Sequence, residues 1–178
     1  MNFLEHTYNT KEKDAVVVLA NAHAGLALYV VLEKLGLCDA EEMLKKHGIH
    51  STRDVKHGVE VSGGSLGQVE TIAVGMAMAN RKRNVYLITS DGACAEGSVW
   101  EALRIAGEQK LENLRVAVIA NGYGAYGEID TNDLDLKLNL FYPVLVVRTN
   151  LYQFPDFLQG QAGHYVVMNE EQYKEIIK

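Results

Sequence analysis

Proline and cysteine are nearly missing from this chain, with two of each in 178 residues. With proline only at Pro143 and Pro155, nothing in the sequence breaks the chain into two units. A length of 178 residues suits one domain, 1–178, with a substantial core. Cys38 and Cys94 are too few for a disulfide framework and lack metal-ligand spacing, so a reducing cytoplasm is the expected compartment. Cationic excess is lacking too. Seventeen Lys and Arg stand against 23 Asp and Glu, and a net charge of −6 argues against a protein that tracks a nucleic-acid backbone. No apolar run approaches the ~18 residues a membrane span needs. The start, M-N-F-L-E-H-T-Y, has no apolar h-region, which leaves residues 1–13 as a short leader that is not a secretory signal.

What is present alternates. Short β-branched runs at 15–20, 85–89, 114–120 and 144–148 suit strands buried on both faces. Helical patterns lie at 25–35, 40–46, 66–79, 99–110 and 170–177, while 123–140 reads as a long loop with a short helical insert. Such alternation predicts an α/β fold: three layers, a mostly parallel sheet with helices on both faces. The helix at 66–79 carries Val69, Ile72, Ala73, Met76 and Ala77 on one face.

Chemistry concentrates between Thr89 and Asn121. Asp91-Gly92 ends one strand, and Asn121 ends the next after 28 intervening residues. In open parallel sheets, ligands sit beyond the carboxyl ends of the strands. Two capping boxes are expected, Ser65-Leu-Gly-Gln68 and Ser98-Val-Trp-Glu101. Each follows glycines, placing free backbone N–H groups at a helix N-terminus, where an anion is favoured. Taken singly these are bland features: Asp-Gly and Asn-Gly are common turn dipeptides. His6 and His47 read as solvated surface residues. Joint occurrence in one order is what carries weight.

That order resembles the N-terminal, diphosphate-binding domain of transketolases. The resemblance rests on A-H-A-G-L-A-L-Y at 22–29, G-V-E-V-S-G-G-S-L-G-Q at 58–68 and A-V-G-M-A at 73–77. It continues through D-G-A-C-A-E-G-S-V-W-E-A at 91–102, L-E-N-L at 111–114 and G-H-Y-V-V-M-N-E-E-Q-Y at 163–173. The resemblance implies thiamine diphosphate, a divalent cation (Mg2+, or Ca2+ or Mn2+) and transfer of a two-carbon ketol unit between sugar phosphates, as in pentose phosphate metabolism. It implies metal ligation by Asp91, the Asn121 side chain and the Tyr123 carbonyl. Gly92 would lie against the diphosphate, and Gly64 and Leu66 against the aminopyrimidine and the middle of the cofactor. His23, His50 and His164 match histidines near the diphosphate or the reacting sugar. Glu96 matches a carboxylate at a subunit interface. His57 has no counterpart and reads as structural or exposed. Departures from the family pattern are Ser90 and Ala93 around Asp91-Gly92, Ala22 before His23 and Ile49 before His50.

In this family the glutamate that activates the cofactor lies on a second, pyrimidine-binding domain. The expectation is therefore half an enzyme: a diphosphate-binding subunit with a separate pyrimidine-binding transketolase C-terminal subunit, in a homo-oligomer or heterotetramer. The upstream family segment with a further Gly-His loop is expected to be missing. Two alternatives stand beside this one. The chain belongs to another thiamine diphosphate enzyme, such as a 1-deoxyxylulose-phosphate synthase or a 2-oxoacid dehydrogenase, or it is a non-catalytic binding module on the same fold.

Overall fold

The computed structural model describes residues 2–10, 12, 14–124 and 126–177. Four parallel strands form the central sheet in the order β1-β2-β3-β6. These are β1 (Val16–Leu19), β2 (Val85–Ser90), β3 (Leu114–Ala120) and β6 (Val144–Arg148), within a residue of the runs read from the sequence. Strand alternation splits the core. Val16 and Val18, Val85 and Leu87, and Leu114, Val116 and Val118 point to one side, where α4 (Gln68–Ala79), α5 (Gly97–Glu108) and α6 (Thr131–Phe141) cover them. Val17, Leu19 and Ile88 point to the other, under α1 (Asn2–Thr10), α2 (Gly25–Lys34) and α3 (Ala40–His47). Helices therefore lie on both faces, and the three-layer α/β fold holds.

Several local expectations fail for identifiable reasons. Not every strand is buried on both faces: β6 is an edge strand, and its Leu145 is 56% exposed. The loop expected at 123–140 is instead a small hairpin, β4 (Tyr123–Gly124) with β5 (Gly127–Glu128), followed by the full helix α6. Its leucines recur at every second position, from Leu134 to Leu140, which hides the helical period. The helix buries Leu134 and Leu138, four apart, and leaves Leu136 and Leu140 outside. The Asp130 side chain caps α6 by accepting the N–H groups of Asn132 and Asp133. The leader also contains a helix, α1, whose Leu4 is buried against the α2 layer.

Neither expected capping box forms. Gly67, in the left-handed region at φ 78°, precedes α4 and leaves it without a side-chain cap. Glu96 precedes α5, which is likewise uncapped. Ser98 sits inside α5 and donates its hydroxyl to the Gly67 carbonyl at 3.0 Å, tying the two helix starts together. The α4 face also differs: Val69, Ala73, Val74 and Ala77 are buried, while Ile72 is exposed. A true capping box does form at α7 (Glu170–Ile176), between Asn169 and Gln172.

Candidate functional site

Three consecutive strands of the sheet deliver chemistry to one edge. β1 ends at Leu19 and leads to a tight helical turn, Ala22–Ala24, that carries His23. β2 ends at Ser90 and leads to Asp91-Gly92, and β3 ends at Ala120 and leads to Asn121. The parallel register places Ser90 opposite Ile119, and the Asp91 N–H donates to the Ile119 carbonyl at 3.1 Å. Asp91 and Asn121 thus leave neighbouring strands side by side.

Asp91 is 2% exposed. Its Oδ1 accepts the Gly92 N–H at 2.9 Å and its Oδ2 the Gly122 N–H at 2.7 Å. Burial raises its pKa above the usual carboxylate range, and the backbone N–H groups of Gly122, Gly92 and Asn121 pull the other way. Among the described residues no Lys, Arg or His forms an ion pair with it. Asn121 is exposed, with Oδ1 accepting the Tyr123 N–H at 2.9 Å. The Tyr123 carbonyl faces Gly92: a Cβ added there would lie 3.8 Å from it.

These groups fit a hard divalent cation. They offer a carboxylate, an amide oxygen and a main-chain carbonyl, all oxygen donors, with lone pairs left after their hydrogen bonds. Among the described residues no three His, Cys, Asp or Glu side chains gather to hold a metal. A site with one carboxylate suits a cation that takes further ligands from a bound phosphate, as magnesium commonly does. Gly92 supports the same fit. Its φ of −59° suits any residue, and an added Cβ would make only ordinary contacts, none under 3.7 Å. Among the described residues nothing demands glycine there. The starts of α4 and α5, joined by the Ser98–Gly67 bond and without side-chain caps, leave N–H groups for an anion.

The three histidines converge. The His23 ring meets His50 edge-on at 4.9 Å between centroids and His164 at 5.0 Å. His164 arrives on a helical turn, Gln161–Tyr165, in the C-terminal segment. Burial, then the neighbouring His164 and His50, lowers the His23 pKa. His50 also faces Gly64, with Nδ1 at 4.0 Å from an added Cβ. Leu66 is half-buried in the turn leading into α4. Glu96, half-buried at the start of α5, accepts from the Tyr126 hydroxyl at 3.4 Å.

Two residues differ from what the sequence suggests. His47 is not a solvated surface residue: its side chain is 7% exposed and its Nε2 lies 3.3 Å from Asp54 Oδ2. Glu70, in the first turn of α4, is buried, with Oε1 accepting the Thr89 hydroxyl and Oε2 without a partner among the described residues. No sequence signal marks it, because it stands within an apolar helical face.

Comparison with known proteins places this geometry. The model of the transketolase thiamine diphosphate binding domain matches residues 4–138. The chain belongs to that family. It is 28% identical to a putative uncharacterized transketolase family protein of Sinorhizobium fredii, over 90% of this chain and 74% of that one. It is 35% identical to a 6-deoxy-6-sulfo-D-fructose transketolase subunit from a Clostridium species, over 61% of this chain and 43% of the relative. Against an apulose-4-phosphate transketolase subunit of Phocaeicola vulgatus the values are 38%, 57% and 39%. The chain thus spans less than half of those two subunits. Among solved structures, transketolase from Campylobacter jejuni superposes with a TM-score of 0.64 at 22% identity, covering 89% of this chain and 34% of that one. That likeness is one of fold. Among the described residues no helix is long and apolar enough to cross a membrane.

Proposed function

We propose that this chain is the diphosphate-binding subunit of a split thiamine diphosphate-dependent transketolase, acting in the cytoplasm on sugar phosphates. The observation that carries the reading is the pairing of the buried Asp91 with Asn121 on adjacent strand ends, beside a glycine the fold does not require. Asp91, Asn121 and the Tyr123 carbonyl hold the metal, with Mg2+ first among Mg2+, Ca2+ and Mn2+. Gly92 and the starts of α4 and α5 receive the diphosphate, and Gly64 and Leu66 line the rest of the cofactor. Once bound, the cofactor would supply the electron sink that two-carbon ketol transfer between sugars requires.

The chain's own contribution is positioning and proton handling. His23, His50 and His164 present ring nitrogens to phosphate and hydroxyl oxygens. Burial and mutual repulsion keep His23 neutral more readily than a solvated imidazole, so it accepts hydrogen bonds and protons near neutral pH. Glu96 and the 79% exposed Tyr126 beside it form an edge for a separate pyrimidine-binding chain. Two relatives carry the word subunit in their names, which supports such a partner.

Calorimetric titration of thiamine diphosphate into the chain mixed with a pyrimidine-binding partner tests this. Binding that requires the divalent cation, and that thiamine without its diphosphate does not reproduce, is the expected result. Equal binding of thiamine, or binding indifferent to the cation, would overturn the assignment.

A further inference from the structure

Away from the strand-end carboxylate, one acidic side chain gathers three nitrogens. Asp54 Oδ2 accepts from Lys46 Nζ at 2.9 Å and lies 2.9 Å from His57 Nδ1 and 3.3 Å from His47 Nε2. Lys46 and His47 belong to the last turn of α3, and His57 ends the short turn Val55–His57. The carboxylate therefore joins the end of α3 to the segment that follows it. His50 lies inside the loop so closed.

Further contacts share in holding the flanks of His50. After it, Gly63 N–H donates to the Ser51 carbonyl at 2.9 Å, Arg53 N–H to Ser62 Oγ at 2.9 Å, and Asp54 and Val59 exchange backbone bonds at 2.9 and 3.0 Å. Before it, the Tyr29 hydroxyl donates to the Gly48 carbonyl at 3.1 Å. The start of α2 presses on the same stretch: a Cβ at Gly25 would sit 2.1 Å from the Ile49 carbonyl oxygen. Gly48 itself is in the left-handed region, at φ 72°, with open space around it. Gly48 and Ile49 alone separate α3 from His50, so the His50 backbone lies close to the residues that Asp54 holds at the end of α3.

We propose that Asp54 is a positioning residue for His50, its three-way clamp on Lys46, His47 and His57 holding the His50 imidazole edge-on against His23. The functional meaning rests on the reading of His50 as a site residue, but the geometry can be tested without cofactor or partner. The test is imidazole-selective NMR on the purified full chain, following the cross-peak between the His23 and His50 rings, with circular dichroism and melting to confirm the fold. The wild-type chain should show the cross-peak. Asp54→Asn should lose most of it while keeping wild-type secondary structure, because the neutral amide no longer holds three donors. His57→Leu, which removes one arm and supplies no other donor, should weaken it by about half and serves if Asp54→Asn does not fold. A cross-peak of wild-type intensity in a folded Asp54→Asn chain would overturn the proposal, as would one unchanged in a folded His57→Leu chain. Neither result bears on thiamine diphosphate binding, so failure of the clamp and failure of the cofactor assignment are read separately.

Discussion

Asp91 Oδ2 accepts the backbone N–H of Gly122 at 2.7 Å, which ties the carboxylate after β2 to the loop after β3. That bond fixes the geometry of the candidate metal site before any cation arrives. It also means the side chain has a structural duty, and a test must separate the two.

Asp91→Asn makes that separation. The amide keeps the size of the carboxylate and one oxygen acceptor, so it can hold only one of the Gly92 and Gly122 N–H groups, and it removes a desolvated charge. Loss of a neighbour of a metal ligand costs about 10–100-fold in metal affinity, so loss of the ligand's charge should cost at least that. Calorimetry in the assembled enzyme should show cation-dependent thiamine diphosphate binding weakened to this extent, while unfolding shows only the cost of one lost buried backbone bond, about 1–3 kcal/mol. Unchanged affinity would reduce Asp91 to a turn residue.

Two glycines should behave oppositely. Gly92→Ala meets no close contact among the described residues and should leave the melting temperature unchanged while weakening cofactor binding. Gly67→Ala places a Cβ 2.3 Å from Ser98 Oγ at φ 78°. Left-handed strain and overpacking together should cost about 2–5 kcal/mol in denaturant unfolding.

Along α6 the two faces should separate in the same way. Leu138 is 0% exposed and Leu140 83%. Leu138→Ala should destabilise by about 2–5 kcal/mol, and Leu140→Ala should stay within about 0.5 kcal/mol of wild type. Equal costs would mean that α6 is turned differently on the sheet.

Hydrogen bonds from Lys46 and His57, with a further one from His47, hold the Asp54 carboxyl well below the usual carboxylate range. The folded state thus favours the ionised form, and the stabilisation is complete above the unfolded value of about 3.9. It is lost as pH falls through the lower folded value. The melting-temperature gap between wild type and Asp54→Asn should accordingly be full at neutral pH and close progressively below about pH 4. A gap independent of pH would show that the effect of the substitution is steric.

The sheet was legible because its strands are unbroken β-branched runs flanked by helical periods, and Val85–Ser90 and Leu114–Ala120 fall almost where the pattern puts them. Of the candidate site, motif order made one juxtaposition legible: the His23 ring meets both His50 and His164, far apart in the chain. What the pattern concealed were features made by tertiary contact. The alternating leucines of α6 imitate a strand. Ser65 and Ser98 sit at cap-like spacing, yet the turn at Gly67 starts α4 two residues later than the pattern and leaves Ser98 to bridge two helices. His47 resembles any charged helix end in the sequence, and only the return of Asp54 onto it reveals its burial.

Ketol-transfer turnover tests the central claim most directly, measured with thiamine diphosphate and magnesium on the purified chain alone and then with a pyrimidine-binding partner chain added. No turnover alone and turnover on mixing, abolished by Asp91→Asn, is the predicted result. Robust turnover by the chain alone would contradict the proposal of a split enzyme, and turnover by the mixture that Asp91→Asn leaves intact would contradict the metal site.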